Sequence, residues 1–310
     1  MQIPEISAVD LFDPSSRGYQ ESLVKVRVAA EDIGFMTLTD TCLGEDDVRR
    51  VLSAYRDFFT LPTARKAEFN MANTGSNRGW GASGAEQVDP ASNPDFKEVF
   101  DCGLELPPGD PLARHTYYAP NRWPTEPAGF RENITDYYTR ATRISLDLLS
   151  AIASSIDEPA DYFRDKFDKP MALLRGNYYP SRPLDATERD FGIAPHTDYG
   201  CLTLLAMDGS PGLEVATRSG DWVPVTANPG TFVINFGEML QMWSNGRIVA
   251  TPHRVIGGAE ERMSVPFFFN PRADVNVAPW GSAEVRLAGE HLSRRYDETY
   301  VHRQPASGAG

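Results

Sequence analysis

The chain has few of the features that mark extracellular or nucleic-acid-binding proteins. It contains three cysteines in 310 residues, Cys42, Cys102 and Cys201. An odd number at such wide spacing is not a disulfide framework, and without a C-x-x-C pair we expect neither a zinc finger nor an iron–sulfur cluster. Basic residues number 30 against 43 acidic ones, which gives a net charge of -13. Because no excess positive charge is available to neutralise phosphates, we expect neither nucleic acid nor an anionic membrane as a partner.

Long apolar runs are absent as well. No stretch is long enough to cross a bilayer, and the N-terminus has no basic segment followed by an apolar one. With reduced cysteines, this pattern predicts a soluble, cytoplasmic protein. Hydrophobic residues make up 41% of the chain, enough for a sizeable core. The last residues, 301–310, are mostly small or polar, and we expect a flexible tail there.

The first half of the chain has the spacing of amphipathic helices. Apolar residues recur every three or four positions over 20–33, from Asp46 or Asp47 to Pro62, and over 130–156. The last of these predicts a long supporting helix. Residues 3–11 and 35–38 are predicted strands. The segment 70–95 is rich in Gly, Asn, Ser and Pro, and such long loops are often functional.

The second half changes to short apolar runs separated by turn residues. The runs cover residues 171–179, 201–207, 213–216, 222–225, 231–235, 249–256 and 263–269. This spacing is typical of a β-sandwich or jelly roll. We therefore predict an α+β, mainly β protein, with an N-terminal α/β region over 1–125 and a core of long helix plus jelly roll over 126–300.

The strongest chemical pattern is an H-x-D pair, His196 and Asp198, with a later histidine, His253, in a chain of five histidines. In a strand, residues i and i+2 point to the same face, so His196 and Asp198 can bind one metal. Two imidazoles and one carboxylate hold non-haem Fe(II) on one side and leave positions open for substrate and O2. Zinc also accepts His and Asp, but a zinc hydrolase is disfavoured because H-E-x-x-H and an obvious general base are absent.

An R-x-S pair, Arg262 and Ser264, follows the last of these histidines. Gly257-Gly258 between them is a hairpin signal, and a turn of two or of four residues puts Arg262 and Ser264 on the face of His253. The arginine fork and the serine hydroxyl suit a carboxylate, and a buried arginine needs such a partner. A dicarboxylic cosubstrate that chelates the iron at one end and reaches Arg262 at the other would fit.

With these motifs the chain resembles the isopenicillin N synthase-like family of Fe(II)- and 2-oxoglutarate-dependent oxygenases, over about residues 3–300. The matching segments in the second half are Asn177-Tyr178-Tyr179-Pro180, His196-Thr197-Asp198-Tyr199-Gly200, Asn235-Phe236-Gly237-Glu238, Thr251-Pro252-His253-Arg254-Val255 and Arg262-Met263-Ser264. In the first half, Asp95-Phe96-Lys97-Glu98 and Asn121-Arg122-Trp123-Pro124 are similar to the family's N-terminal region. One departure is Glu238, where the family usually has Asp.

The resemblance implies a distorted jelly roll, or double-stranded β-helix. It implies iron bound by His196, Asp198 and His253, and 2-oxoglutarate held by Arg262 and Ser264 with Tyr179 and Asn177 close by. The implied reaction oxidises an unactivated C–H bond of a small molecule by hydroxylation, desaturation or cyclisation. In that reaction, 2-oxoglutarate and O2 become succinate and CO2.

Substrate contacts are expected from the long loop and two strands. The candidates are Glu86, Arg78 and Trp80 in the loop, with Arg175 and Phe269 on strands. If Glu86 and Arg175 both face the pocket, a polar, amino-acid-like substrate is favoured; a specialised metabolite is the alternative. The motifs also suit a 2-oxoglutarate-independent oxidase of the isopenicillin N synthase or aminocyclopropane-carboxylate oxidase kind, an ethylene-forming type, or a non-catalytic binding protein. The oligomeric state is not indicated.

Overall fold

The computed structural model describes residues 2–300, and the predicted flexible tail, 301–310, lies outside this range. The α-helices are α1 Ala8–Leu11, α2 Tyr19–Val28, α3 Glu45–Phe59, α4 Thr63–Ala67, α5 Phe130–Ser155, α6 Glu238–Trp243 and α7 Ala288–Thr299. The β-strands are β1 Glu5–Ser7, β2 Phe35–Thr39, β3 Gly79–Gly81, β4 Glu98–Gly103, β5 Leu173–Tyr179, β6 Ile193–His196, β7 Leu202–Met207, β8 Leu213–Ala216, β9 Trp222–Val225, β10 Phe232–Phe236, β11 His253–Val255 and β12 Arg262–Phe269.

The strands form two sheets that share an apolar core. The larger sheet has the order β1-β2-β10-β7-β12-β5-β4-β3, and the smaller has the order β6-β11-β8-β9. Met207 of the larger sheet and Val215 and Val255 of the smaller one lie in a single buried cluster between them. The arrangement confirms the predicted jelly roll. Strands β1 to β4 extend the larger sheet at both edges, so the N-terminal region and the core share one sheet.

The helices predicted from apolar periodicity are present. Helix α5 buries Ile134, Tyr137 and Leu148, and the Tyr138 ring packs edge-on against Phe267 of β12 at 5.1 Å. It therefore supports the larger sheet, as expected of a long amphipathic helix. The helix predicted over 20–33 ends its α-helical part at Val28 and continues as one π turn to Ile33. None of the described helices is both long enough and apolar enough to cross a membrane.

Three local predictions need correction. The strand predicted over 3–11 covers only β1, and α1 follows it directly. The loop predicted over 70–95 contains β3, which pairs with β4. The hairpin predicted after His253 is wrong: β11 belongs to the smaller sheet and β12 to the larger one. Residues 256–261 connect the two sheets, because in a jelly roll the chain crosses between the layers here. Sequence adjacency alone cannot distinguish such a crossing from a turn within one sheet.

Candidate metal centre and adjoining cavity

Three side chains converge at the edge of the smaller sheet. His253 of β11 pairs directly with His196 of β6, which puts both imidazoles on one face, and Asp198 follows β6 by two residues. The donor atoms of the three all lie within 4.8 Å of one another. The nearer carboxylate oxygen of Asp198 lies 3.8 Å from Nε2 of His196 and 3.7 Å from Nε2 of His253. A single metal ion can therefore contact all three side chains.

Backbone carbonyls fix the orientation of both imidazoles. Nδ1 of His196 donates to the Ala194 carbonyl at 2.8 Å, and Nδ1 of His253 lies 3.2 Å from the Thr251 carbonyl. A carbonyl oxygen only accepts, so the proton is assigned to Nδ1 and the Nε2 lone pair is left for a metal. Burial and the nearby His253 lower the pKa of His196 to about 3, so its imidazole is neutral near pH 7. Neutral imidazole is the form that binds metals.

Two side-chain donors hold the Asp198 carboxylate by the oxygen that faces away from the histidines. Its Oδ2 accepts hydrogen bonds from the Thr203 hydroxyl at 2.5 Å and from the Asn235 side-chain amide at 2.6 Å. Burial opposes ionisation of Asp198, but the two histidines and these donors outweigh it, so its pKa is below the usual value. Oδ1, which faces the histidines, is left for a cation. Neither Thr203 nor Asn235 was predicted, although Asn235 lies in a motif that carried the resemblance.

A cavity of about 120 Å³ opens beside these ligands, between the two sheets. Strand alternation decides which residues face it, since every second side chain of a strand points to the same side. The cavity-lining residues of β5 and β12 are Leu173, Arg175, Asn177, Tyr179, Arg262, Ser264, Pro266 and Phe268. Across the ladder, Arg262 lies opposite Tyr179 and Ser264 opposite Asn177. The four residues predicted for the cosubstrate therefore form one patch.

Arg262 is the unusual member of this patch. It is 4% exposed, and its Nε and Nη1 have no hydrogen-bond partner. Its guanidinium lies over the Tyr179 ring, 4.9 Å from the ring centre. Asn177 donates to the Ser264 hydroxyl at 3.3 Å, but its own carbonyl oxygen is unpaired. Buried polar groups are normally hydrogen-bonded, so this patch suits a ligand that carries a carboxylate.

Two predicted substrate residues, Arg175 and Glu86, line the same cavity but carry partners of their own. Arg175 donates through Nε and Nη2 to the two oxygens of Asp101, at 2.7 and 2.6 Å. Glu86 accepts from Nη1 of Arg175 at 3.0 Å and lies 2.9 Å from the Lys97 ammonium. Burial opposes ionisation of Glu86, but these two cations outweigh it and lower its pKa to about 2. Both residues therefore face the cavity as parts of an ion network.

The other three predicted substrate residues lie away from the cavity wall. Arg78 is buried and donates to the Asn77 and Tyr117 carbonyls. Trp80 is buried in β3, and its indole N–H donates to Glu98 at 2.7 Å. Phe269 faces the core and packs against aromatic rings at 5.1 and 5.6 Å. Its neighbour on β12, Phe268, faces the cavity instead. Every second residue of β12 from Arg262 onward faces the cavity, so strand alternation would have selected Phe268.

Helix α7 covers the cavity, a role that the sequence did not reveal. Successive turns of one face contact Tyr199, the residue after Asp198. His291 donates to the Tyr199 carbonyl at 3.0 Å, Arg295 lies over its ring at 4.3 Å, and Thr299 bonds its hydroxyl at 2.5 Å. The neighbouring face supplies cavity-lining residues, Leu292 and Tyr296, followed by Tyr300 just beyond the helix.

Comparison with known proteins gives consistent matches over nearly the whole chain. A family model described as the 2OG-Fe(II) oxygenase superfamily matches residues 170–271, and one described as the non-haem dioxygenase in morphine synthesis N-terminal matches residues 3–126. The chain is 33% identical to a 2-oxoglutarate-dependent dioxygenase of Didymella fabae, over 96% of this chain and 97% of that one. It is 33% identical to the proline hydroxylase buaE of Petromyces alliaceus, over 89% and 90% of the two chains. The crystal structure of a full-length Neurospora crassa protein in complex with alpha-KG and thymine superposes with a TM-score of 0.84 at 27% identity, covering 96% of each chain.

Proposed function

Because this chain belongs to the 2OG-Fe(II) oxygenase superfamily, we propose that His196, Asp198 and His253 hold its iron and that Arg262 and Ser264 hold its 2-oxoglutarate. The chain is a non-haem iron, 2-oxoglutarate-dependent oxygenase. It oxidises a small molecule while 2-oxoglutarate and O2 are converted into succinate and CO2. The resemblance noted in the sequence is thereby confirmed. The assignment of individual residues is the proposal.

The donor set fits the metal. Two imidazoles and a carboxylate form the three-ligand facial set of non-haem Fe(II) oxygenases, which leaves positions for other ligands. Thr203 and Asn235 restrain the far oxygen of Asp198, and such outer contacts orient metal ligands. When bound, the iron and its cosubstrate supply the oxidising chemistry. The protein orients its ligands, binds the cosubstrate and encloses the substrate away from bulk water.

The buried, incompletely paired guanidinium of Arg262 carries the cosubstrate proposal. A carboxylate placed against it could accept from Nε or Nη1 together with the adjacent Nη2, since each such fork of arginine matches the two oxygens. Ser264 lies two residues along the same strand, and Asn177 lies opposite Ser264 on the paired strand β5. Tyr179 provides a flat surface beneath the guanidinium. The cosubstrate's other end would then lie toward the metal ligands across the same cavity.

An anaerobic titration of the Fe(II)-loaded protein with 2-oxoglutarate tests this assignment. Chelation should give a saturable visible absorption band in the wild-type protein, and Arg262→Lys should need much more 2-oxoglutarate to reach it. His196→Ala and Asp198→Ala should each lose stoichiometric iron. Retention of full iron by both variants would overturn the metal site. A wild-type protein that binds iron without the band would point to an oxidase that keeps Arg262 for its substrate's carboxylate.

The finer substrate class is also a proposal. We infer a small polar molecule with an amino-acid-like or ring skeleton, because charged side chains and aromatic rings share the cavity wall. The relatives named for proline and thymine act on or bind molecules of this size. Acceleration of succinate formation by members of an amino-acid and pyrimidine panel would support the class. A specialised metabolite is the alternative outcome, and a cytoplasmic location stays a prediction from the sequence.

A further inference from the structure

We propose that Glu86 anchors the substrate by accepting a hydrogen bond through Oε1, so that the enzyme selects small molecules presenting an N–H or O–H group. The inference rests on the proposed function, because it places the substrate in the cavity beside the metal ligands. Glu86 lines that cavity and is 5% exposed. It would act as a specificity-determining residue at the substrate.

The hydrogen bonds around Arg175 explain why one oxygen of Glu86 is left over. Nη2 of Arg175 has two hydrogens, and it donates at 2.6 Å both to Asp101 and to the Tyr300 hydroxyl. Oε1 of Glu86 lies only 2.8 Å from this nitrogen but receives no hydrogen bond from it. The other oxygen, Oε2, accepts from Nη1 of Arg175 and lies 2.9 Å from the Lys97 ammonium. Oε1 is therefore a buried acceptor that lies close to the Arg175 cation but receives no hydrogen bond.

The charge of the surrounding network favours the same ligand. Two cations, Lys97 and Arg175, lie within ion-pair distance of three carboxylates, those of Glu86, Asp95 and Asp101. Burial raises the pKa of Asp95 and of Asp101, whereas the two cations lower the pKa of Glu86 to about 2, so Glu86 is the most firmly ionised carboxylate of the three. A buried, ionised oxygen without a donor favours a hydrogen-bond donor, and a cationic donor most of all. A substrate carboxylate at this end would be repelled.

The neighbouring rings restrict the shape of that donor. The rings of Phe268 and Tyr300 both lie beside the Arg175 guanidinium, with centres 6.0 and 5.9 Å from its carbon. Both rings line the same cavity as Glu86. A flat or ring-shaped substrate with an N–H at its edge could place that edge at Oε1 while its face lies along these rings. We therefore name nitrogen-containing rings and other compact amines as the substrate class.

Matched ligand pairs on the Zn(II)- and 2-oxoglutarate-loaded protein test the inference without turnover. The panel contains ring compounds with and without an N–H, including thymine with 1,3-dimethylthymine and L-proline with tetrahydrofuran-2-carboxylate. Dissociation constants are measured by ligand-observed NMR in the wild type, Glu86→Gln and Asp95→Asn. Asp95 is the matched control, because its loss removes a buried carboxylate of the same network that is not part of the cavity wall.

We expect N–H members to bind the wild type at least about tenfold more tightly than their partners, as for a hydrogen bond to a charged group. Glu86→Gln should reduce that preference to below about threefold, while Asp95→Asn should keep it. Equal affinities within the pairs, no binding of any N–H member, or equal losses in both variants would overturn the role of Glu86. The 2-oxoglutarate absorption band of the iron-loaded variants separates the two proposals. A normal band in the wild type and in Glu86→Gln leaves the proposed function intact whatever the pairs show.

Discussion

Replacing Arg262 by Met should have opposite effects on the free protein and on its complex with 2-oxoglutarate. Arg262 is 4% exposed, and two of its nitrogens have no partner. Burying an incompletely paired charge is unfavourable. Met has a similar length and can keep the contact with the Tyr179 ring through its sulfur. We therefore expect ligand-free Arg262→Met to have an unfolding free energy equal to or above that of the wild type.

With 2-oxoglutarate present the order should reverse. Removing one partner of a buried charge pair costs roughly 2–4 kcal/mol, which corresponds to a dissociation constant higher by roughly 30- to 1000-fold. At a 2-oxoglutarate concentration of about 100 times the wild-type dissociation constant, the wild type gains roughly 2.7 kcal/mol of stability. The variant gains much less under the same conditions, at most about 0.9 kcal/mol, because the same concentration is only about 0.1 to 3 times its own dissociation constant.

Urea unfolding of both proteins, with Zn(II) and with or without 2-oxoglutarate, measures the two effects separately. Arg262→Lys is the control that keeps the charge and removes the fork. If ligand-free Arg262→Met loses several kcal/mol, the arginine is a structural residue. If both proteins gain equally from 2-oxoglutarate, the cosubstrate binds elsewhere. Either result would refute the reasoning from the unpaired guanidinium.

Three further predictions concern the surroundings of the site. Thr203→Val, which removes a donor to Asp198, should weaken metal binding by about 10- to 100-fold in a chelator competition; unchanged affinity would contradict the orienting role. His291→Gln should flatten the fall in melting temperature below pH 6.5: burial lowers the pKa of His291, so the unfolded chain takes up a proton first and stability falls as pH decreases. If the melting temperature of the variant falls equally steeply with pH, the pH dependence arises from other groups. Gly176→Ala should lower the unfolding free energy by about 1–3 kcal/mol, because its Cβ would overlap the Tyr55 ring; a neutral result in urea unfolding would show that the ring can move.

The sequence identified the parts of the site that are set by short spacing along a strand. Arg262 and Ser264 lie two residues apart within β12, so they face one side by strand alternation. His196 ends β6 and Asp198 lies two residues beyond it, so the spacing selected this pair although only His196 belongs to the strand. The same alternation would have replaced Phe269 by Phe268 as a cavity residue. It fails for the step from His253 to Arg262, because there the chain passes from one sheet to the other. The two residues still meet at one cavity, since the sheets face each other.

Contacts between distant segments could not be predicted from a single sequence. Arg175 and Glu86 were named as candidate substrate residues, but Asp101, the partner of Arg175, lies on β4, a strand that the apolar pattern did not reveal. The role of α7 depends on how that helix packs, which its own residues do not specify. Trp80 was expected in a long loop and is instead buried in a short strand beside β4. In each case tertiary pairing decides the side chain's surroundings.

The two faces of α7 separate tasks that could otherwise interfere during evolution. His291 and Arg295 attach the helix to Tyr199, whereas Leu292 and Tyr296 contribute to the cavity wall, and Thr299 at the end of the helix does both. Substitutions on the second face can alter the space offered to a substrate without disturbing the attachment next to the metal ligands. A new substrate range could thus arise by changing a few side chains one helical turn apart, with the oxidising centre inherited intact.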